Sequence, residues 1–578
     1  MSHTSADPAS ESASTVEDES LAEAQPAPTP PASLSLPRLF RGLQIVVSTT
    51  VLSRFLGMFR DIATASLFGL SPVMDAFAFA FRVPNLARRL FGEGALSAAF
   101  LPAFARTWES GREHHDQTPS WALATAVFSL LTLVLSVLVL LGELLLTGLA
   151  HIYADSPGAQ QLITLTALML PYTVLICLAA QVTAVLHALG HFTWPALVPI
   201  VLNVCWIASI FVVDPLFEPD REAQARALAV CVVLSGVLQL GLQLPKLVQL
   251  GYRPVWDWQP VWSRVREISA AVLPVTIGLS ITQLTTVMDT AIAWSFSQPE
   301  DPSIRMPFPG APAYPLTAGA ASALYFAERL YHFPLGVFGV AVGTVLFPRL
   351  SHHAAAGDMH GIRKDIELGL RLILTIGLPA SAGLFLVAPM LTELLYHHGH
   401  FTQDAALRTA GMVQAYAWGV WAYCAIPVLY RAFYALDDRI SPLRIGLLCM
   451  LLDILLNLSL IWPLAERGLA WSTAVSSAIQ VLGLIWLLEW RIGRLDRHSL
   501  NQAIIKALAA TVAMSVTCWG LLSLARLSEL WAWQLFVLTV SVGVSSGLYI
   551  ALTRWLRLDA MDLLLTVRSR KASSHSDE

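Results

Sequence analysis

The chain has 578 residues, 55% of them hydrophobic and only 13% charged, with 18 tryptophans and a mean hydropathy of +0.61. A water-soluble domain carries about 25% charged residues, so a soluble globular protein is excluded and a polytopic membrane protein is indicated. The net charge is −4, but Asp7, Glu11, Glu17, Asp18, Glu19 and Glu23 all precede the first basic residue; the rest of the chain is close to neutral and offers no footprint for nucleic acid.

Residues 1–37 are rich in Ser, Ala, Pro and Glu and cannot bury enough apolar surface to offset the entropy of ordering. They are expected to form a disordered acidic cytoplasmic tail. A secretory signal would need a basic start and an uninterrupted apolar core, whereas the first apolar stretch contains Arg54, Arg60 and Asp61.

Segments long enough to cross about 30 Å of hydrocarbon follow at 40–69, 72–105, 120–150, 159–188, 191–213, 224–249 and 266–296. They continue at 318–350, 366–388, 404–435, 441–463, 467–490, 502–526 and 530–556. Fourteen spans put both termini on one side. The connections on that side hold Arg106, Arg112, Lys246, Arg253, Arg363, Lys364, Arg491 and Arg494, whereas the opposite side holds few basic residues. The excess of positive charge makes the termini cytoplasmic.

The expected fold is all-α: two six-helix lobes, 38–250 and 251–497, two C-terminal helices at 498–557, and a cytoplasmic tail at 558–578. The two-lobe division rests on an echo between FRVPNLARRLFGEGALSAAFLPAF (81–104) and FAERLYHFPLGVFGVAVGTVLFPRL (326–350), since transporters are often built from repeated halves with the substrate site between them. The longest outer connection, 297–317, is Pro-rich and too short for a catalytic domain. No GxSxG, P-loop or HExxH motif has a usable context, so no enzyme is expected. The six cysteines lie inside apolar stretches without CxxC spacing and read as small buried hydrophobes.

A charge in the bilayer core costs about 2.5–3.5 kcal/mol on insertion scales, yet the first two spans contain Arg54, Arg60, Asp61, Asp75, Arg82, Arg88, Arg89 and Glu93. Asp75, Arg82 and Arg89 are seven apart and fall within about 20° of one another on a helix, with Glu93 one turn further. Snorkelling or pairwise neutralisation accounts for a single such residue; eight on two adjacent helices indicate a wet cavity. Its surplus is positive, and arginine's planar fork suits a phosphate. Pro84, Gly92 and Gly94 are expected to break the helix within this stripe, which is tolerated where backbone lines a cavity. Glu328 and Arg329 add a charge pair at the echoing position of the second lobe.

A second set has the opposite sign: Asp289, then Asp453 and Asn457 one turn apart, then Ser472 and Thr473. These oxygens suit a hard cation such as Na⁺, or a carboxylate could carry a proton; the alternative is polar glue between helices. YHHGHF (396–401) reads as surface histidines in an outer turn rather than a metal site, and His114, His115, His352 and His353 read as solvated.

The runs SRFLGMFRD (53–61), MDAFAFAFRVPNLARRLFGEGALSAAFLPAF (74–104) and YFAERLYHFPLGVFGVAVGTVLFP (325–348) closely resemble the MurJ (MviN) lipid II flippases of the MOP exporter superfamily, over about residues 38–556. The resemblance implies a fourteen-helix, two-lobed protein that moves undecaprenyl-pyrophosphate-linked disaccharide pentapeptide outward for peptidoglycan synthesis by alternating access. It places the substrate-binding residues at Arg54, Arg60, Asp75, Arg88, Glu93 and Arg329, with Asp61, Arg82, Asn85, Arg89 and Glu328 as secondary contacts. It also places the lipid tail in a groove of the last two helices, and a sodium site at Asp289, Asp453, Asn457 and Thr473. Na⁺ or H⁺ would be the coupling ion, and no other cofactor or protein partner is implied. Where members can carry an acid, this chain has His332. Export of another prenyl-pyrophosphate-linked glycan and multidrug antiport are the alternatives; a multidrug site should be acidic or apolar, whereas this cavity is rich in arginine.

Overall fold

The computed structural model describes residues 36–92, 95–299, 303–306, 312–336, 340–528 and 530–558. Most of the N-terminal and C-terminal tails anticipated from composition, and Glu93, lie outside the described residues. Among those described there is no named strand, only one isolated bridge between Ser297 and Leu316.

The first half contains α1 (Leu36–Phe68), α2 (Pro72–Ala87), a five-residue π turn (Arg88–Gly92), α3 (Ala95–Glu113), α4 (Thr118–Ile152), α5 (Pro157–Met169), α6 (Tyr172–Ala188), α7 (Thr193–Phe217) and α8 (Arg221–Gln249). The second half contains α9 (Trp262–Ser295), α10 (Ala320–Pro334), α11 (Val340–Ala355), α12 (Met359–Tyr396), α13 (Gln403–Ala417), α14 (Val420–Ala435), α15 (Ile440–Leu464) and α16 (Glu466–Ile492), followed by α17 (Arg497–Leu522) and α18 (Trp531–Trp555).

Nine of these, counting α5 with α6 as one, are long and apolar enough to cross a membrane, and α13 with α14, bent by 46°, makes a tenth. The four remaining sequence segments are α1, α2 with α3, α9, and α10 with α11. The first two carry the charged stripe, and α10 and α11 are short, 15 and 16 residues.

The interruptions repeat. α2/α3 and α5/α6 in the first half correspond to α10/α11 and α13/α14 in the second, six spans on, which gives physical form to the echo between 81–104 and 326–350. Pro84 does not break its helix: α2 runs through it to Ala87 and the irregularity falls at the π turn. Such turns insert one residue and re-aim the side chains that follow. Gly92 ends this turn where α6 passes close by; a Cβ there would meet the Ala180 Cβ at 3.1 Å. α17 and α18 pack on α12, and Tyr549 Oη of α18 donates to the buried Thr375 carbonyl at 2.5 Å.

Candidate functional site

A cavity of about 530 Å³ lies between the halves, lined by Arg60, Arg82, Asn85, Arg88, Arg89, Glu328, Arg329 and His332 together with polar groups of Asn203, Gln239 and Gln283. Five arginines face one acid. A smaller pocket of about 260 Å³ adjoins it, sharing His187, Pro195 and Pro199, and is lined by Arg54.

The seven-residue spacing of the stripe determines where its side chains go. Asp75, Arg82 and Arg89 project from one face of α2 and its π turn, and each meets the second half of the chain. Arg82 Nη2 pairs with Glu328 Oε2 at 2.8 Å, and Arg89 Nη1 donates to Gln283 Oε1 at 2.7 Å. Asp75 does not line the cavity. Its carboxylate accepts from Gly319 N (3.0 Å), Ser322 N (2.6 Å) and Ser322 Oγ (2.7 Å), tying α2 to the N-terminus of α10. A carboxylate is favoured there by the free N–H groups of the first turn. Gly319 makes the approach possible: its φ of +87° suits glycine, and a Cβ would meet Leu70 Cβ at 2.7 Å.

A second knot crosses the same seam. Arg60 donates through Nε (3.0 Å) and Nη2 (2.7 Å) to Asp61 Oδ1 and through Nη1 to Asn203 Oδ1 (3.1 Å), and its guanidinium lies over the Trp206 ring at 4.8 Å. Asp61 also accepts from Tyr325 Oη at 3.2 Å, and its other oxygen faces Arg329 Nε at 3.5 Å. Arg329 stacks over Tyr325 at 4.5 Å and is the more open of the two, with 34% of its side chain exposed against 9% for Arg60. The buried Nε atoms of Arg82 and Arg329 have no hydrogen-bond acceptor. At the opposite end, Arg54 lies against Gly336, where a Cβ would meet its Nη2 at 2.8 Å.

The oxygen-rich set is separate from the cavity. Asn457 Nδ2 donates to Asp289 Oδ1 at 2.7 Å and to Asp453 Oδ2 at 3.2 Å, Ser476 Oγ donates to Asp453 Oδ1 at 2.9 Å, and Ser472 Oγ donates to Asn457 Oδ1. Thr473, chosen from the sequence, instead donates to the Leu469 carbonyl of its own helix at 3.1 Å. Ser476, one turn beyond Ser472, was the member that sequence reading missed; the i+4 spacing is the signal that finds it. Among the described residues no group of three His, Cys, Asp or Glu is arranged to hold a metal. What converges on the two carboxylates is the Asn457 amide nitrogen and the Ser476 hydroxyl.

His332 faces the cavity, with Nδ1 on the Glu328 carbonyl at 2.6 Å and its ring stacked 4.5 Å from Tyr331. Asn203, Tyr325, Ser322 and Gly319 are partners that no sequence pattern singles out; each sits far along the chain from the charge it serves.

Fold and site together define a two-lobed membrane transporter with a cation-rich central cavity. The model of the "Lipid II flippase MurJ" family matches residues 64–541, most of the chain, and the chain belongs to that family, whose members are transporters of the bacterial inner membrane. A "Probable lipid II flippase MurJ" of Vibrio cholerae is 30% identical over 540 residues, covering 91% of this chain and 98% of its own. The fold is similar to that of a solved lipid II flippase MurJ in its inward closed conformation, with a TM-score of 0.69, 21% identity, and coverage of 88% of this chain and 99% of the other. It is also similar to an inward-facing multidrug resistance MATE transporter of the MOP superfamily, with a TM-score of 0.60, 13% identity and coverage of 79% and 98%.

Proposed function

We propose that this chain flips lipid II, the undecaprenyl-pyrophosphate-linked peptidoglycan precursor, from the inner to the outer leaflet, with the pyrophosphate held by the arginines between the lobes. In this reading fourteen spans cross the membrane, both termini are cytoplasmic, and the Asp75–Gly319 seam is the closed outer gate. The cavity then faces the cytoplasm, where the substrate is supplied.

The observation that carries the reading is the surplus of guanidinium at a seam between two lobes, including two buried Nε donors without an acceptor. Buried donors are nearly always satisfied, so an acceptor such as a phosphate oxygen completes them. A pyrophosphate offers several such oxygens and arginine binds them through paired donors. Arg82 and Arg329 are held by Glu328 and Asp61 in the empty protein; an arriving anion competes with those carboxylates and loosens bonds that span the lobes. Rocking of the lobes about the site then exposes it to the other side, while the prenyl chain stays in lipid along α17 and α18. No covalent step is needed.

The Asp289, Asp453, Asn457 and Ser476 cluster is read as the coupling site. Two carboxylates within reach of one amide repel unless a cation or a shared proton neutralises them, so ion occupancy changes the packing of α9 against α15. Multidrug antiport would fit the fold, but a cavity with five arginines repels cationic drugs.

Lipid II binding to the purified full chain tests the reading. Arg329→Ala should weaken binding at least tenfold, Arg329→Lys should recover only part of it because a point charge does not reproduce the fork, and binding should weaken with salt. Equal affinity for all three proteins would overturn the cavity assignment.

A further inference from the structure

YHHGHF is the one sequence motif that the transport cycle has not absorbed. In the structure it is the piece of the second lobe that closes over the first. His400 N donates to the Ser66 carbonyl at 2.8 Å. Gly399, at φ +57°, sits so near that a Cβ would come within 2.5 Å of the same carbonyl, and a Cβ on Gly69 would come within 2.4 Å of the His400 carbonyl.

The imidazole makes its own link across the seam. Arg221, the first residue of α8, hydrogen-bonds to His400 Nε2 through Nη2, while its Nη1 donates to the Leu67 carbonyl at 2.8 Å and to Gln224 Oε1 at 2.9 Å. A guanidinium has donors only, so His400 must present an unprotonated nitrogen. Protonation removes that acceptor and places a second positive charge against the first.

The acids nearby sit with Arg221 rather than with the ring. From α8 there are Arg221 itself, Asp220 at the cap before it and Glu222 after it; from α7 there is Asp214, paired with Arg221 Nη1 at 3.9 Å and half exposed. The end of α1 contributes only the carbonyls of Ser66 and Leu67. On its own loop are His397 and His398, the latter with its Nε2 on the Leu394 carbonyl at 3.2 Å, and Asp404 lies beyond in the first turn of α13. Among the described residues no carboxylate is within ion-pair distance of His400.

We propose that His400 is a proton-operated latch on the outer gate. Neutral, it accepts from Arg221 and holds the lobes together at this end; protonated from the outer aqueous phase, it repels Arg221 and favours the outward-open arrangement. A proton gradient thereby biases gate opening without any proton passing through the protein. The side from which the proton arrives rests on the topology proposed above; the latch itself does not.

Spin labels at Leu216→Cys on α7 and Leu407→Cys on α13, both exposed to the bilayer side, in a full chain lacking the six native thiols, report the outer separation of the lobes. On acidification from ~pH 8 to ~pH 5.5, the wider-separation population should rise several-fold. His400→Gln should abolish the response, and His400→Arg should hold the gate wide at both values. A wild-type distribution indifferent to pH, a response that survives His400→Gln, or a narrow gate in His400→Arg overturns the latch. If the thiol-free chain does not fold, thermal unfolding of the cysteine-containing protein followed by tryptophan emission serves instead. Acidification should then lower Tm more in wild type than in His400→Gln, and equal shifts overturn the proposal. Both measurements are made in detergent, so a reversed topology found by labelling the termini would overturn the sidedness and leave the latch standing.

Discussion

The first and second lobes both bury charge, and they satisfy it differently. Around the cavity, Arg82 and Arg329 find their acids across a seam while Arg60 pairs with Asp61 on its own helix, and among the described residues the Nε atoms of Arg82 and Arg329 have no hydrogen-bond acceptor. In the second lobe, Asp289 and Asp453 are enclosed by amide and hydroxyl donors from α15 and α16. A charge held across a seam can be exchanged for a ligand, whereas a sealed one can only change its proton or its ion. The proposed function draws on that difference, with cargo in one region and coupling in the other.

The largest expected effect separates two arginines of the same knot. Arg60 is nearly fully buried and supplies both guanidinium hydrogen bonds of Asp61, so Arg60→Ala leaves that buried carboxylate with only the Tyr325 hydroxyl and the more distant Arg329; breaking a buried pair costs about 3–5 kcal/mol. The variant should lose both abundance in the membrane and function. Arg329→Ala leaves Arg60 on Asp61, so it should abolish complementation of a depleted strain while abundance stays near normal. Immunoblotting beside growth distinguishes the two, and equal abundance losses would merge roles that the geometry separates.

Asp289→Asn should act in the other region alone. It removes like-charge repulsion and keeps the Asn457 contact possible, so transport falls while lipid II affinity in detergent stays within about twofold of wild type, well under the tenfold that 1.4 kcal/mol represents. A parallel loss of affinity would show that the two regions are one site. Na⁺-dependent thermal stabilisation, compared with Li⁺ and K⁺, decides between a sodium and a proton role: the former predicts a shift in wild type that Asp289→Asn and Asp453→Asn lack.

A smaller effect is expected at the gate. Hydrogen bonds to an ionised group contribute about 1.5–3 kcal/mol, and Asp75 accepts three of them. Asp75→Asn should shift the resting equilibrium toward the outward-open state without destroying the fold, read as a wider separation between the same spin-labelled pair on α7 and α13. An unchanged distribution would mean that the α2–α10 bond does not set the state.

The sequence was informative wherever a local period determines the geometry. The seven-residue spacing of Asp75, Arg82 and Arg89 predicted one face, and that face is the lobe seam. What it could not supply was the identity of partners: Asp75 is met by Gly319 and Ser322, more than 240 positions away, which is why it read as a cavity residue although it is not among those lining the cavity. The register on α16 was also ambiguous, since Thr473 and Ser476 are three apart and neighbours on one face of the helix, and only packing against α15 selects between them. Tertiary contact likewise turned YHHGHF from a surface turn into part of a seam, and gave His353 its carboxylates, Asp358 at 2.9 Å and Asp365 at 3.6 Å.

The smallest effect lies outside the membrane. Asp358 caps α12 by accepting from Gly361 N at 2.8 Å, and this bond, with His353 beside it, holds the carboxyl below its ordinary value. A depressed carboxylate stabilises the fold above its unfolded-state pKa of about 3.9, and that contribution is lost as pH falls through the lower folded value. Thermal scans of Asp358→Ala and wild type should therefore differ slightly at neutral pH and converge under strong acid.

The claim that a cationic cavity carries lipid II across the membrane is met most directly in living cells, by depleting the protein and measuring lipid II exposed on the outer leaflet. Exposure should collapse on depletion, return with wild type, and fail to return with Arg329→Ala present at normal abundance. Exposure that persists after depletion, or that Arg329→Ala restores in full, would contradict the account.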